Sequence, residues 1–173
     1  MDEHGGAILY NDQDQPKWEM ELIERGEYYL NEAANQNPWF GRFITRTDYA
    51  VSDVLVDFMN TRNDPRLDNF GDPAPNHGEV RGMPYGIEDA GSIPNADVSF
   101  PNSTYVKAQN APIGIITMAQ VMFAQAEAVQ RGWISGDAKA LYEDGIRASM
   151  SQWGITDAAA IDAFLLEADV AWD

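Results

Sequence analysis

The chain has no cysteine in its 173 residues. Disulfides, thiolate-held metals and a cysteine nucleophile are excluded together, because each needs a sulfur that is not there. Positive charge is scarce too: 11 Lys and Arg stand against 28 Asp and Glu, a formal net charge of -17. The basic residues are scattered singly among acids, so no patch exists to hold a phosphate backbone or an anionic lipid surface. Composition therefore argues against nucleic acid and polybasic membrane docking. Long apolar runs are also missing. The longest, from Ile113 to Ala119, falls far short of the roughly 20 residues of a membrane-spanning helix. The start Met1-Asp2-Glu3-His4 lacks the positive region and apolar run of a secretory leader. Histidine is limited to His4 and His77, and no pair at i,i+4 spacing presents two zinc ligands from one helix.

What is present is a hydrophobic fraction of 45%, ample for a core, in a chain of single-domain length. Between Pro16 and Gln36 a loose helical stripe of Trp18, Leu22, Tyr29 and Ala33 is stopped by Asn35 to Pro38. Residues 39 to 49 fit neither helical nor strand period and read as an irregular surface segment. Ser52 caps a short helix ending near Asn60, with Asp53 in its first turn and Leu55, Val56, Phe58 and Met59 as its apolar face. Asn63-Asp64-Pro65-Arg66 is a rigid exit turn, since proline fixes its own φ and biases Asp64 away from helix. Eleven glycines and prolines between Gly71 and Pro112 deny any long helix or central strand. A loop region of that length usually binds something or wraps a larger body, so it is the functional suspect.

The C-terminal third is periodic. Ile115, Ile116, Ala119, Met122, Phe123, Ala126 and Val129 predict a well-buried helix from about Ile113 to Gln130, closed by Gly132. A second helix runs from Gly136 or Asp137 to Gln152. Ala138, Leu141, Tyr142, Gly145, Ile146 and Ser149 face inward, and Lys139, Glu143 and Arg147 form an outward ladder. The short connection dictates an antiparallel hairpin, and small residues such as Gly145 let the backbones approach. A third helix, capped by Thr156 or Asp157, extends to about Ala168 and presents Ile161, Phe164 and Leu165. Ala138, Tyr142 and Gly145 have the spacing of the second helix of a tetratricopeptide repeat.

Catalytic chemistry has no positive warrant. Asn11 to Pro16 begins like a calcium loop, but proline replaces the fifth-position ligand and the glycine is absent. No Gly-x-Ser-x-Gly occurs. Acid pairs such as Glu79 with Asp89 or Glu88 can be nominated almost anywhere among 28 carboxylates. Metal and cofactor are accordingly not expected. Aromatics set among amides and carboxylates are more informative, because sugars lay C–H faces on rings and give hydroxyls to polar side chains. Trp18, Trp39, Phe40, Arg42 and Tyr85 are the ligand-binding candidates; for any one ring, packing under loops is an equal alternative. Trp133 and Trp153 read as packing wedges. Glu127, on or beside the buried stripe, is expected to accept hydrogen bonds or pair with an arginine.

The run from Ile116 to Ala128, Arg131-Gly132-Trp133 and Tyr142 to Met150 closely resembles the C-terminal signature of SusD/RagB-like nutrient-binding outer-membrane lipoproteins. Val51-Ser52-Asp53, Asn63-Asp64-Pro65-Arg66-Leu67 and Gly82-Met83-Pro84-Tyr85-Gly86 resemble that family's pattern in the same order. The likeness covers roughly Tyr49 to Trp172, and Gln120 stands where the family usually shows glutamate, which puts a local hydrogen bond in question. Its structural signature falls on Asp64, Pro65, Arg66, Phe123, Glu127, Gly132, Tyr142, Gly145 and Ile146. The resemblance implies a mostly helical fold with a tetratricopeptide-like hairpin and long irregular loops. It further implies the C-terminal portion of a protein about three times longer, whose missing repeats leave one hairpin face exposed. Three stretches are expected: a poorly matched lead over 1–50, a short helix and long loops over 51–112, and the hairpin with a terminal helix over 113–173.

The implied role is non-catalytic capture of an oligosaccharide or peptide nutrient at the outer-membrane cell surface. The implied protein partner is a SusC-like TonB-dependent transporter, with membrane attachment only through a lipid anchor absent from this chain. The alternatives are a helical scaffold that contacts the transporter without binding ligand, and an acid-pair glycoside hydrolase.

Overall fold

The computed structural model describes residues 36–172. The Trp18 stripe, the calcium-like turn and His4 lie outside the described residues. Within them the regular elements are helical: α1 (Pro38–Phe43), α2 (Asp53–Asn60), α3 (Leu67–Phe70), α4 (Met118–Gln130), α5 (Ala138–Gln152) and α6 (Ala158–Leu165), with two 3-10 turns, Ala90–Ser92 and Asn95–Asp97. Extended pairing is limited among the described residues to two isolated bridges, Ser52 with Met83 and Gly71 with Pro101. The mostly helical architecture with long irregular loops is the one the sequence implies.

α1 corrects the irregular reading over residues 39–43, while residues 44–49 are irregular as expected. The Asn37 side chain accepts from the Trp39 N–H at 2.8 Å and Pro38 occupies the first turn, where its missing N–H costs nothing. Asn37 and Pro38 thus open a helix of their own. α2 begins and ends as expected, with the Ser52 hydroxyl accepting from Val54 N–H at 3.2 Å. Its apolar face divides, however: Val56 and Met59 are buried, whereas Leu55 and Phe58 are 36% and 55% exposed.

α4 starts at Met118, five residues later than its apolar pattern suggests. Thr117 and Gln120 form a reciprocal capping box that nucleates the helix there, with Gln120 N–H to Thr117 Oγ1 at 3.3 Å and Thr117 N–H to Gln120 Oε1 at 2.9 Å. Gln120 therefore retains a local hydrogen-bonding role. Ile113, Ile115 and Ile116 precede the helix and are exposed. Only Ala119 and Ala126 of α4 are buried and Phe123 is 37% exposed, so the helix is not the well-buried one expected. Gly132, at φ +72, ends it as anticipated.

α4 and α5 pack as a hairpin joined by residues 131–137. At its centre the Phe123 ring lies against Gly145, where a Cβ would stand 2.7 Å from Cε1, and 5.8 Å from the Tyr142 ring. Lys139 pairs with Glu143 at 3.7 Å, but Arg147 reaches across to Asp162 of α6 at 2.8 Å instead of completing the ladder. Glu127 does pair with an arginine, Arg131, at 2.6 Å, though its side chain is 60% exposed and not on a buried stripe. Trp133 is 72% exposed beneath the Arg131 guanidinium at the hairpin tip, so it is no wedge. Trp153 is one, stacked on Phe70 at 3.9 Å.

Two cores result. Ile146 and Met150 of α5, Ile161 and Phe164 of α6 and Val170 form the larger; Val51, Val56 and Val80 form the smaller. The loops are ordered by four buried polar residues, Asn37, Asp64, Ser99 and Asn102. Among the described residues none leaves a buried side-chain polar atom unpartnered.

Candidate functional site

Asp64 and Arg66 join the loop region to the helices. Asp64 accepts from Arg66 Nε at 2.9 Å and from its backbone N–H at 3.0 Å, and Arg66 Nη1 donates to Ser149 of α5 at 2.7 Å. The guanidinium also lies 5.5 Å from the Phe164 ring centre. Asn63 before the pair takes φ +48, and Pro65 between them holds the turn. Tyr142 donates from its hydroxyl to Val170 carbonyl at 2.6 Å, holding the C-terminal segment to α5. Asp64, Pro65, Arg66 and Tyr142 of the signature residues belong to this framework.

Buried Ser99 orders the loops above it: Val51 N–H donates to its carbonyl, its own N–H to Arg81 carbonyl, and Arg81 N–H to its hydroxyl at 2.9 Å. Buried Asn102 performs the same service one turn on, donating to Asp68 carbonyl and accepting from Thr104 and Tyr105 N–H. Asn37 secures the start of α1 by bonding Gln109 and Ala111 carbonyls at 2.9 and 2.8 Å.

These anchors leave a cleft of about 390 Å³ between α1 and the loops, within the range of small-molecule sites. Phe43 and Phe100 supply its rings, set edge-to-face at 6.4 Å. Pro73 and Pro75 add apolar wall, and Thr47, Asn95, Asp72 and Lys107 supply polar groups. Asn95 donates to Thr47 Oγ1 at 3.0 Å. Lys107 is paired with Asp72 at 2.9 Å and lies 5.3 Å from the Phe43 ring, and Ser103 donates twice to the other Asp72 oxygen. Apolar faces beside fixed donors and acceptors can grip a polyol and orient it; the paired charges allow the same surface to meet an amide or a charged group.

Of the sequence-derived candidates, Trp39 stands beside this cleft. It is 43% exposed and stacks on Phe43 at 6.1 Å, with Tyr49 edge-on at 5.9 Å. Arg42 donates to Tyr49 Oη at 2.9 Å and pairs with Asp48, so it braces the cluster. Phe40 is half-buried on α1. Tyr85 lies elsewhere: it is 81% exposed and lines an apolar groove with Val54, Leu55 and Phe58. Trp18 lies outside the described residues. Sequence reasoning missed Phe100, Asp72, Asn95 and Lys107, which come together only through contacts between distant loops. The one signal available was the glycine and proline density that marked the loop region itself.

Among the described residues no group of three or more His, Asp or Glu side chains is placed to hold a metal, and no helix is long and apolar enough to cross a membrane. Fold and cleft together define a helical framework whose ordered loops wall a partly apolar cleft. A family model described as starch-binding and associating with the outer membrane matches residues 27–173. The chain belongs to that SusD-like family.

Solved structures agree. A SusD homolog from Bacteroides fragilis superposes with TM-score 0.65 at 26% identity, over 82% of this chain and 36% of that one. One from Bacteroides vulgatus gives TM-score 0.55 at 32% identity, over 65% and 24%. A chitin-binding SusD homolog from Flavobacterium johnsoniae gives 0.58 at 28%, over 75% and 27%. The chain thus spans about a quarter to a third of the length of the structures it resembles. No curated protein matches it significantly.

Proposed function

We propose that this chain forms part of a non-catalytic nutrient-binding protein of the outer-membrane surface that captures an oligosaccharide and passes it to a SusC-like TonB-dependent transporter. The observation that carries the reading is the aromatic and polar cleft of Phe43, Phe100, Asn95, Asp72 and Lys107 in a member of the SusD-like family. Trp39 stands at its edge against Phe43 and Arg42 braces Tyr49 beside it; a lipid anchor on the longer protein supplies the membrane attachment. The chitin-binding relative makes chito-oligosaccharides a natural first probe, and peptides the second class.

Calorimetry of the full-length protein against a panel of neutral and charged oligosaccharides and peptides tests this. Binding without product release is expected, weakened severalfold by Asn95→Ala, since a lost neutral hydrogen bond is worth roughly 1 kcal/mol. Absence of heat for every member, or release of free sugar, contradicts it. The separation of Tyr85 from Trp39 favours a second reading, in which the chain is scaffold and its apolar groove meets the transporter. On that reading ligand binds, but cleft substitutions leave its affinity unchanged.

A further inference from the structure

A second cleft, of about 410 Å³, opens between the loop 104–112 and the end of α5. Tyr105 and Trp153 line it with rings 6.5 Å apart and tilted by 45°. Both are fixed from behind. Trp153 is stacked on Phe70 at 3.9 Å, and its carbonyl accepts from Asn69 Nδ2. Tyr105 is set by its N–H bond to buried Asn102 at 3.0 Å. Gly154 lies beneath the phenol at φ +74, where a Cβ would stand 2.2 Å from the Tyr105 hydroxyl. The positive φ favours glycine there, and a side chain would also displace the Tyr105 ring.

The polar groups of this cleft differ from those of the first. There Asp72 and Lys107 are paired with each other and Asn95 donates to Thr47. Here the Tyr105 hydroxyl and the side-chain amides of Asn110 and Gln152 have no partner among the described residues, and none of the described residues lining the cavity is Asp, Glu, Lys, Arg or His. Two anchored rings, two amides that each donate and accept, and a phenol suit a ligand with apolar faces and neutral hydroxyl or acetamido groups. A carboxylate or ammonium group would enter without a counter-charge.

We infer that this cleft is a binding site for a neutral sugar residue, with the rings of Tyr105 and Trp153 as platform and Asn110, Gln152 and the Tyr105 hydroxyl as its hydrogen-bonding set. The inference rests on the nutrient-capture reading and adds to it a second site and a charge class. The Asn110 and Gln152 side chains are exposed, so their replacement leaves the framework intact.

The test is calorimetry of the full-length protein with neutral oligosaccharides (chito- and malto-oligosaccharides) and an oligogalacturonate, at low and high salt, for wild type, Asn110→Ala, Gln152→Ala and Tyr105→Phe. Melting temperatures are measured alongside. The expected result is that a neutral oligosaccharide binds with salt-independent affinity, that each substitution weakens it by roughly fivefold, the scale of one hydrogen bond, and that melting is unchanged. Neutral-sugar binding that all three variants retain at wild-type affinity overturns this site while leaving nutrient capture standing. Binding confined to oligogalacturonate, with steep salt dependence, overturns the neutral class assigned here. No binding by any probe overturns this inference and counts against capture itself.

Discussion

Asp64 is the one buried carboxylate among the described residues. Its side chain is 3% exposed, and its partner Arg66 is the group that reaches Ser149 and Phe164. Removing the carboxylate strands a largely buried guanidinium, and breaking such a pair costs about 3 kcal/mol or more. Asp64→Ala should therefore lower the denaturation midpoint markedly, whereas Asp162→Ala, at the exposed pair with Arg147, should change it by less than about 1 kcal/mol. Chemical denaturation of the two variants checks both; equal effects would contradict the assignment of Asp64 to the framework. Asp64, Pro65 and Arg66 were legible in the sequence as a rigid turn. Their connection to α5 was not, because Ser149 lies 83 positions from Arg66 and no local pattern links them.

The helices that declared themselves are those with a side-chain cap followed by a sustained apolar period. Ser52, Asp137 and Asp157 each accept from a first-turn N–H where their sequences place them. α1 escaped because six residues are too few for a period, and because Pro38 reads equally well as a stop or a first turn. The apolar pattern extends α4 too far towards its N-terminus because three isoleucines before the capping box look like one more turn of stripe. Thr117→Ala should reduce stability by about 1 kcal/mol, measured by chemical denaturation, since the box loses its hydroxyl acceptor.

Gly82 tests the loop that straps α2. Met83 N–H bonds Val51 carbonyl at 2.7 Å, Asp53 N–H bonds Met83 carbonyl, and Tyr85 N–H bonds Asp53 Oδ1. A Cβ at position 82 would stand 2.1 Å from the Asp53 Cα, and backbone cannot yield as a side chain does. Gly82→Ala should cost about 2 kcal/mol or more, while Gly41→Ala, with open space around it, should not destabilise. Similar melting temperatures for the two variants would contradict the strap.

At the scale of the whole molecule, charge and exposed surface carry the account. Acids outnumber bases by 9 to 2 over residues 1–35 and by 5 to 0 over 151–173. The chain should pass a heparin column unretained at low salt, and retention would contradict the exclusion of polyanion partners. The helical class, the hairpin and the family were all legible, because helix caps, periodicity and signature runs are local in sequence. The clefts were not, since Phe43, Asp72, Asn95 and Lys107 are separated along the chain and meet only in the folded loops, through contacts such as the Lys107–Asp72 pair and the Asp72 N–H bond to Phe100 carbonyl. Aromatic content pointed to Trp39 at one cleft's edge and to Tyr85 in a separate apolar groove. It could not tell them apart, because exposure and neighbourhood are properties of the folded chain.

The most direct test of the central claim is calorimetric titration of the full-length protein with oligosaccharides, with the solution analysed for product afterwards. The account predicts saturable binding of at least one oligosaccharide, weakened by Asn95→Ala and accompanied by no cleavage. Undiminished binding in that variant, no binding at all, or liberated sugar would contradict it.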